Sequence, residues 1–196
     1  MAGSEVDRDR ADRDCAEPDC AARVAATCWT DTLPDGRTVW IGPLLHSDRE
    51  ALAREYLTLS PGSQRSRFLG MVPELTPQLL RSLVDGVDGV DHIAFVAFLE
   101  QDGVPVPVGV GRILRYPMLP DTADLAVTVK DAWHGQGVGG VLTRQLVTHR
   151  PAGVEHLLTE VLADNRAPLA MLSRVGPMHR TFIGSGAVEV SVDIPA

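Results

Sequence analysis

"VKDAWHGQGVGGVL", Val129 to Leu142, is the stretch on which the reading of this chain turns. Four glycines fall within six residues, Gly135 to Gly140, directly after an apolar β-rich run and before a helix-like one. A strand, a glycine-rich turn and a helix together present backbone N–H groups to an anion. The first helical amides have no intrahelical partner, and the helix dipole favours negative charge beside them. Glycine removes the Cβ atoms that would keep a phosphate at a distance. The stretch reads as a pyrophosphate cradle, with a glycine turn that holds no ligand as the plain alternative.

Two familiar phosphate loops fit it poorly. A Walker loop needs Lys-Ser or Lys-Thr after its last glycine, and Val141-Leu142 stand there. Gly135, Gly137 and Gly140 do match the letters of the dinucleotide fingerprint. But the loop comes late in the chain, after a hairpin, and no strand ending in an acid follows at the usual spacing.

Outward from the loop, Val138–His149 has helical periodicity, with Val138, Val141, Leu142, Gln145, Leu146 and His149 near one face, ended by Pro151 and Gly153. Upstream, His92–Glu100 and Val106–Tyr116 are strands joined by the turn "QDGVP", and Ala123–Val129 is the strand that enters the loop. Downstream, Val154–Ala163 suits a buried strand, "NRAPLAMLSRVG" a short helix and "GAVEVSVDIP" a closing strand. Near the N-terminus, Thr27–Thr32 and Arg37–Ile41 flank Pro34-Asp35-Gly36 as a hairpin. "HSDREALAREYLTL" is a helix capped by Ser47 or Asp48 and broken at Pro61-Gly62. "TPQLLRSLVDGV" is another, with Thr76 as cap and Pro77 at its first position. The order predicts one α/β domain with a mixed sheet and a single crossover unit.

Composition narrows the class. The chain has 196 residues, 44% hydrophobic and 22% charged, as expected of a globular protein able to bury its own core. Its net charge of −8 argues against general affinity for nucleic acid. No run approaches the length of a membrane span and no secretory signal is evident, so a cytoplasmic protein is expected. Seven acids and three arginines crowd residues 1–20, and residues 1–26 read as a flexible acidic tail ahead of a domain over 27–196. Cys15, Cys20 and Cys28 lack a fourth ligand at zinc spacing and read as reduced thiols; no metal site is expected. Lys130 is the only lysine.

"AVTVKDAWHGQGVGGVLTRQLV" resembles the acetyl-CoA-binding motif of the GNAT superfamily of N-acetyltransferases, and "VLADNRAPLAMLSRVG" its next motif. "DGRTVWIGPLLHSDRE", "LSPGSQRSRFLG", "ELTPQLL" and "ADLAVTVKDAWHGQGVG" are similar to the GNAT domain of bacterial Pat-type protein lysine acetyltransferases. The 36 residues before the match leave no room for the regulatory or synthetase domain of the longer members, so a stand-alone form is expected. The resemblance implies a mostly antiparallel sheet, splayed at the cofactor site, with flanking helices. It also implies acetyl-CoA as acyl donor and an amine acceptor, a protein lysine first. A small-molecule amine, or an acyl-CoA-binding regulatory module without turnover, stays open. Oligomeric state is not legible.

Carried over residue by residue, the resemblance places pantetheine along Val127, Thr128 and Val129. It places the pyrophosphate on the amides of Gln136, Gly137, Val138, Gly139 and Gly140, with His134 and Gly135 opening the loop. His134 stands where glutamine or arginine is usual, and imidazole has no assured charge near neutral pH. Asn165 matches the asparagine that contacts the pantetheine arm, and also suits a helix cap. Asp124 occupies the position of the family's general base, a glutamate. Aspartate is shorter by about an ångström, one methylene, which favours a water relay. Pairing of Asp124 with an arginine such as Arg112 is the alternative. Leu172 takes the place of the tyrosine that protonates the departing thiolate, and Pro177 that of a following aromatic. Arg65 and Arg67 lie in a segment that lines the acceptor side, and Glu100 and Glu160 are weaker base candidates. Trp133 reads as a packing residue.

Overall fold

The apolar run after His92 is buried on both faces, and the architecture follows from that. The computed structural model describes Val24 and residues 27–195. The expected acidic tail, with Cys15 and Cys20, falls outside those residues, except that Val24 is buried. Cys28 is half-buried beside Gly42.

Among the described residues eight strands form one sheet: β1 (Trp29–Thr32), β2 (Thr38–Pro43), β3 (His92–Gln101), β4 (Val104–Tyr116), β5 (Leu119–Val129), β6 (His156–Leu162), β7 (Met178–Gly184) and β8 (Ala187–Asp193). Their spatial order is β1-β2-β3-β4-β5-β6-β8-β7, and every neighbouring pair is antiparallel except β5 and β6. The parallel pair needs a crossover, and α4 (Val138–Thr148) supplies it. The earlier helices are α1 (Arg49–Leu57), α2 (Pro61–Phe68) and α3 (Pro77–Leu80), the last widening into a π turn over Arg81–Asp85; α5 (Arg166–Leu172) follows β6. No described helix is long and apolar enough to cross a membrane.

Alternation along β3 sorts the core into two layers. Phe95, Ala97 and Leu99 join the cluster under α4, whereas Ala94, Val96 and Phe98 join the cluster under α1 to α3. From α4, Val138, Val141, Leu142 and Leu146 point inward and are almost wholly buried, each worth about 1.5–3 kcal/mol relative to exposure. Close packing of α4 on β4 depends on Gly111, where a Cβ would sit 2.8 Å from Leu146 Cδ1. The face under α1 to α3 carries the even-numbered residues of β5, among them Asp124, opposite the even-numbered residues of β4.

Three local expectations are corrected. Pro61-Gly62 does end α1, but it also starts α2: Ser60 accepts from the Ser63 amide as N-cap and Pro61 takes the first helical position. The short helix near the end is followed by an additional strand, β7, before the closing one. Asp48 does stand at the N-cap of α1, but its carboxylate makes no cap bond there: it accepts from the Leu45 amide and closes the 3-10 turn before the helix.

Candidate active site

β5 and β6 begin side by side and part almost at once. Only Thr122 with His156, and Ala123 with Leu157, are paired. Beyond them β5 runs on to Val129 with one edge uncovered. The Lys130 amide donates to the Val108 carbonyl on the β4 side, and the Thr159 hydroxyl donates to the Leu125 carbonyl on the other. Backbone groups alternate sides along a strand, so those of Val127 and Val129 face the gap while those of Ala126 and Thr128 turn to β4. Val127 thus offers a free N–H and a free C=O. Thr128 can contribute only its side chain. The Val129 carbonyl accepts from His134 Nε2 at 2.8 Å, which leaves its N–H open and occupies one nitrogen of the imidazole.

The gap leads onto the glycine loop. Gly137 is the N-cap of α4 with φ of +95°, and no side chain caps the helix. A Cβ there would collide with the Pro34 ring, so both conformation and crowding demand glycine. The first bond into the helix is from the Val141 amide to the Gly137 carbonyl, at 3.1 Å. The amides of Val138, Gly139 and Gly140 therefore precede the ladder and have no intrahelical acceptor. Gln136 turns its side chain away: its amide group donates to the Ala132 carbonyl and accepts from Arg37, so only its backbone is placed to serve.

Asp131 fixes this loop to α2. Its carboxylate accepts from the Ser60 amide (2.8 Å) and from the hydroxyls of Ser60 and Ser63 (2.7 Å each). Burial pushes Asp131 up, but these bonds and nearby His134 outweigh it and hold its carboxyl at about 2. Trp133 packs on the core beneath the loop, with the Arg37 guanidinium over its ring.

The site residues expected from the sequence line one cleft, except Gln136 and the weaker base candidate Glu100. Asn165 caps α5 by accepting from the Ala167 amide at 3.2 Å, and it also faces the cleft. Asp124 sits at the point where β5 and β6 separate, half-buried, with Tyr116 and Glu160 on the same wall. No arginine lies within ion-pair distance of Asp124 among the described residues, although its charge acts on both Arg67 and Arg112. Tyr116 donates to the Leu158 carbonyl, and burial followed by the charges of Asp124, Glu160 and Glu189 raises its hydroxyl to about 12, so it stays protonated.

Glu100 is displaced from this wall. It pairs with Pro105 next to the β3–β4 turn, at the opposite end of the sheet from Asp124, because the register of that hairpin carries it away. Leu172 is buried and offers no proton. Two cleft residues went unnoticed in the sequence. One is Tyr116. The other is Arg174, whose Nη1 lies 4.0 Å from where a Cβ on Gly140 would be, over the start of α4. Being one turn past the short helix was no signal by itself.

These residues suit an extended ligand that ends in a diphosphate. A strand edge with open N–H and C=O groups can pair with an amide-bearing arm. Uncapped helical amides beneath Arg174 can take phosphate, and a Cβ at Gly135 would meet nothing within 4 Å. A mixed sheet parted over a glycine-opened helix, with a carboxylate at the fork, is the arrangement that the resemblance to acetyl-CoA-dependent transferases implies. The chain is 36% identical over 174 residues, 88% of its length and 90% of the relative's, to Acetyltransferase PA5475 of Pseudomonas aeruginosa. It belongs to the GNAT acetyltransferases. No family model matches the chain. Among solved structures, the GNAT domain of S. lividans PAT superposes with a TM-score of 0.73 at 24% identity, covering 85% of this chain and 97% of that one. YncA, a putative acetyltransferase from Salmonella typhimurium solved with its cofactor acetyl-CoA, superposes at 0.61 with 16% identity, covering 80% and 94%.

Proposed function

We propose that residues 27–196 form one catalytic unit, working in the cytoplasm, that transfers an acetyl group from acetyl-CoA to a protein lysine. The observation that carries this is the meeting, in one cleft, of the uncovered edge of β5, the uncapped start of α4 and Asp124. Bound acetyl-CoA supplies an activated thioester. The carbonyl of Val127 and the N–H of Val129 hold the pantetheine arm as an added strand. The amides of Gln136 to Gly140, with Arg174 above them, hold the diphosphate. The Val127 N–H is aimed into the gap, where it can take the negative charge that develops on the thioester oxygen.

A lysine amine has a reference pKa of about 10.4 and is protonated at neutral pH. Asp124 accepts that proton, through one water where its short side chain does not reach. The freed amine attacks the thioester carbon, the C–S bond breaks, and the thiolate is protonated by solvent. The lysine acceptor rests on the similarity of "LSPGSQRSRFLG" and "ELTPQLL" to Pat-type domains, and α2 places the first of these on the cleft.

Titration with acetyl-CoA in a calorimeter tests the donor. Micromolar binding is expected, and no binding up to millimolar ligand would remove the proposal. Asp124→Asn is expected to bind acetyl-CoA like the parent while transfer to a lysine-containing peptide falls by about 100-fold or more. Unchanged transfer would take the base role from Asp124.

A further inference from the structure

Beneath α1 and α2, on the face of the sheet that carries Asp124, lies a cavity of about 130 Å³. It adjoins the transfer cleft: Arg67, Phe68 and Thr128 line both. Its walls are largely apolar, with Leu52, Tyr56, Phe98 and Val110. Two guanidiniums stand in its wall, those of Arg67, which also lines the cleft, and Arg112. Arg112 is 8% exposed, flanked across the ladder by Ala94 and Ala126, whose small side chains leave room for it.

These cations are poorly matched. Arg112 has one hydrogen bond, to the Leu83 carbonyl at 3.3 Å, although a guanidinium carries five donors. Arg67 contacts the face of Phe68. Among the described residues neither has a carboxylate within ion-pair distance, and Asp124 is the acidic group whose charge acts on both. The other ionic groups of the wall are engaged elsewhere: Lys130 pairs with Glu55 at 2.6 Å, and Asp48 accepts from the Leu45 amide. Burial pulls both arginines down, and for Arg112 the repulsion of Arg67 adds to it, to about 9; a guanidinium nonetheless keeps its charge inside a protein. A buried charge without a close partner is costly, and an incoming anion relieves that cost.

We infer that Arg67 and Arg112 read a carboxylate at the far end of an acyl group, so that besides acetyl-CoA the protein takes a short dicarboxylic acyl-CoA, of the succinyl type, as donor and holds it more tightly. This rests on the acyl-transfer reading above and widens only the choice of group transferred. Size agrees with charge. Apolar cavities of about 150 Å³ take a benzene ring, whereas an acetyl tail is a single methyl and leaves this one empty. Two methylenes and a carboxylate fill it and reach the guanidiniums. The step is the same: the acceptor nitrogen bonds to the acyl carbonyl carbon as the C–S bond breaks. The ammonium proton passes to Asp124, and the sulfur leaves as thiolate and is reprotonated.

The test is calorimetric titration of the full chain with acetyl-CoA, butyryl-CoA and succinyl-CoA. Succinyl-CoA is expected to bind about tenfold tighter than either of the others, as a charge-assisted bidentate contact allows. Arg112→Gln and Arg67→Gln are each expected to erase that advantage, with acetyl-CoA affinity in the same variant as internal reference. Arg67, only half-buried on α2, keeps the test readable should Arg112→Gln fail to fold. Acetyl-CoA bound as tightly as succinyl-CoA would overturn the inference and leave the acetyl-transfer reading standing. Butyryl-CoA equal to succinyl-CoA would also overturn it, since the arginines would then do nothing. Failure of all three to bind would fell the acyl-transfer reading itself.

Discussion

Asp131 shows how one side chain serves two elements. It opens the 3-10 turn after β5, and its three hydrogen bonds seize the start of α2, so the glycine loop and that helix share an anchor. Its pKa is lowered in the folded protein, from 3.8 to about 2. A depressed carboxylate stabilises the fold above its unfolded value and loses that contribution as pH falls through the folded one. Asp131→Asn is therefore expected to lower stability at pH 7 by at most about 1 kcal/mol, a small figure because the site is exposed and solvent screens it. The difference from the parent should shrink between pH 4 and pH 2 and vanish below, in urea melts at each pH. A constant difference across that range would mean the serine contacts do not depend on the charge. At this scale the sequence was an uneven guide. Asp124 and the loop glycines could be found because their spacing from one another is local. Arg112 could not, since its burial depends on Ala94 and Ala126 being its cross-strand neighbours.

The glycine-opened helix lines the cleft, and its geometry is strict. Gly137 combines φ of +95° with a Cβ position already filled by Pro34 of the β1–β2 turn. Gly137→Ala is expected to cost about 1–3 kcal/mol of stability and to weaken acetyl-CoA binding by tenfold or more, because the uncapped amides are re-aimed. Thermal melts and titration on the same sample check both. Melts changed with binding intact would show that the loop tolerates the shift. Strands β3 to β6 and helix α4 were legible because each has a period and a punctuated end. β7 was not. It is an edge strand whose residues are mostly exposed, so no alternation marks it, and Pro177 just before it reads as a loop. α2 was half-hidden, because Ser60-Pro61 closes one helix with the chemistry that opens the next.

Across the whole molecule, the family and fold were legible from two motifs, while the cavity under α1 and α2 was not. It is assembled from three helices and three strands whose contacts span the chain. The parting of β5 from β6 has a further consequence. Among the described residues two ladder pairs, the Glu155 amide on the Asp121 carbonyl, and the hydroxyls of Thr159 and Tyr116 on the Leu125 and Leu158 carbonyls stitch five strands to three, so the sheet is a pair of panels joined at a thin seam. A pantetheine arm laid along Val127 and Val129 would serve as the missing thread. Amide exchange in the second half of β5 and in β6 is expected to be fast in the free protein and to slow together when acetyl-CoA is added, as mass spectrometry of deuterated peptides would read. Slowing on one side alone would mean the ligand rests on a panel without bridging the two. If it bridges them, the donor does more than wait to be consumed: each turnover lets the seam open and each new donor closes it, so the protein is most coherent when loaded.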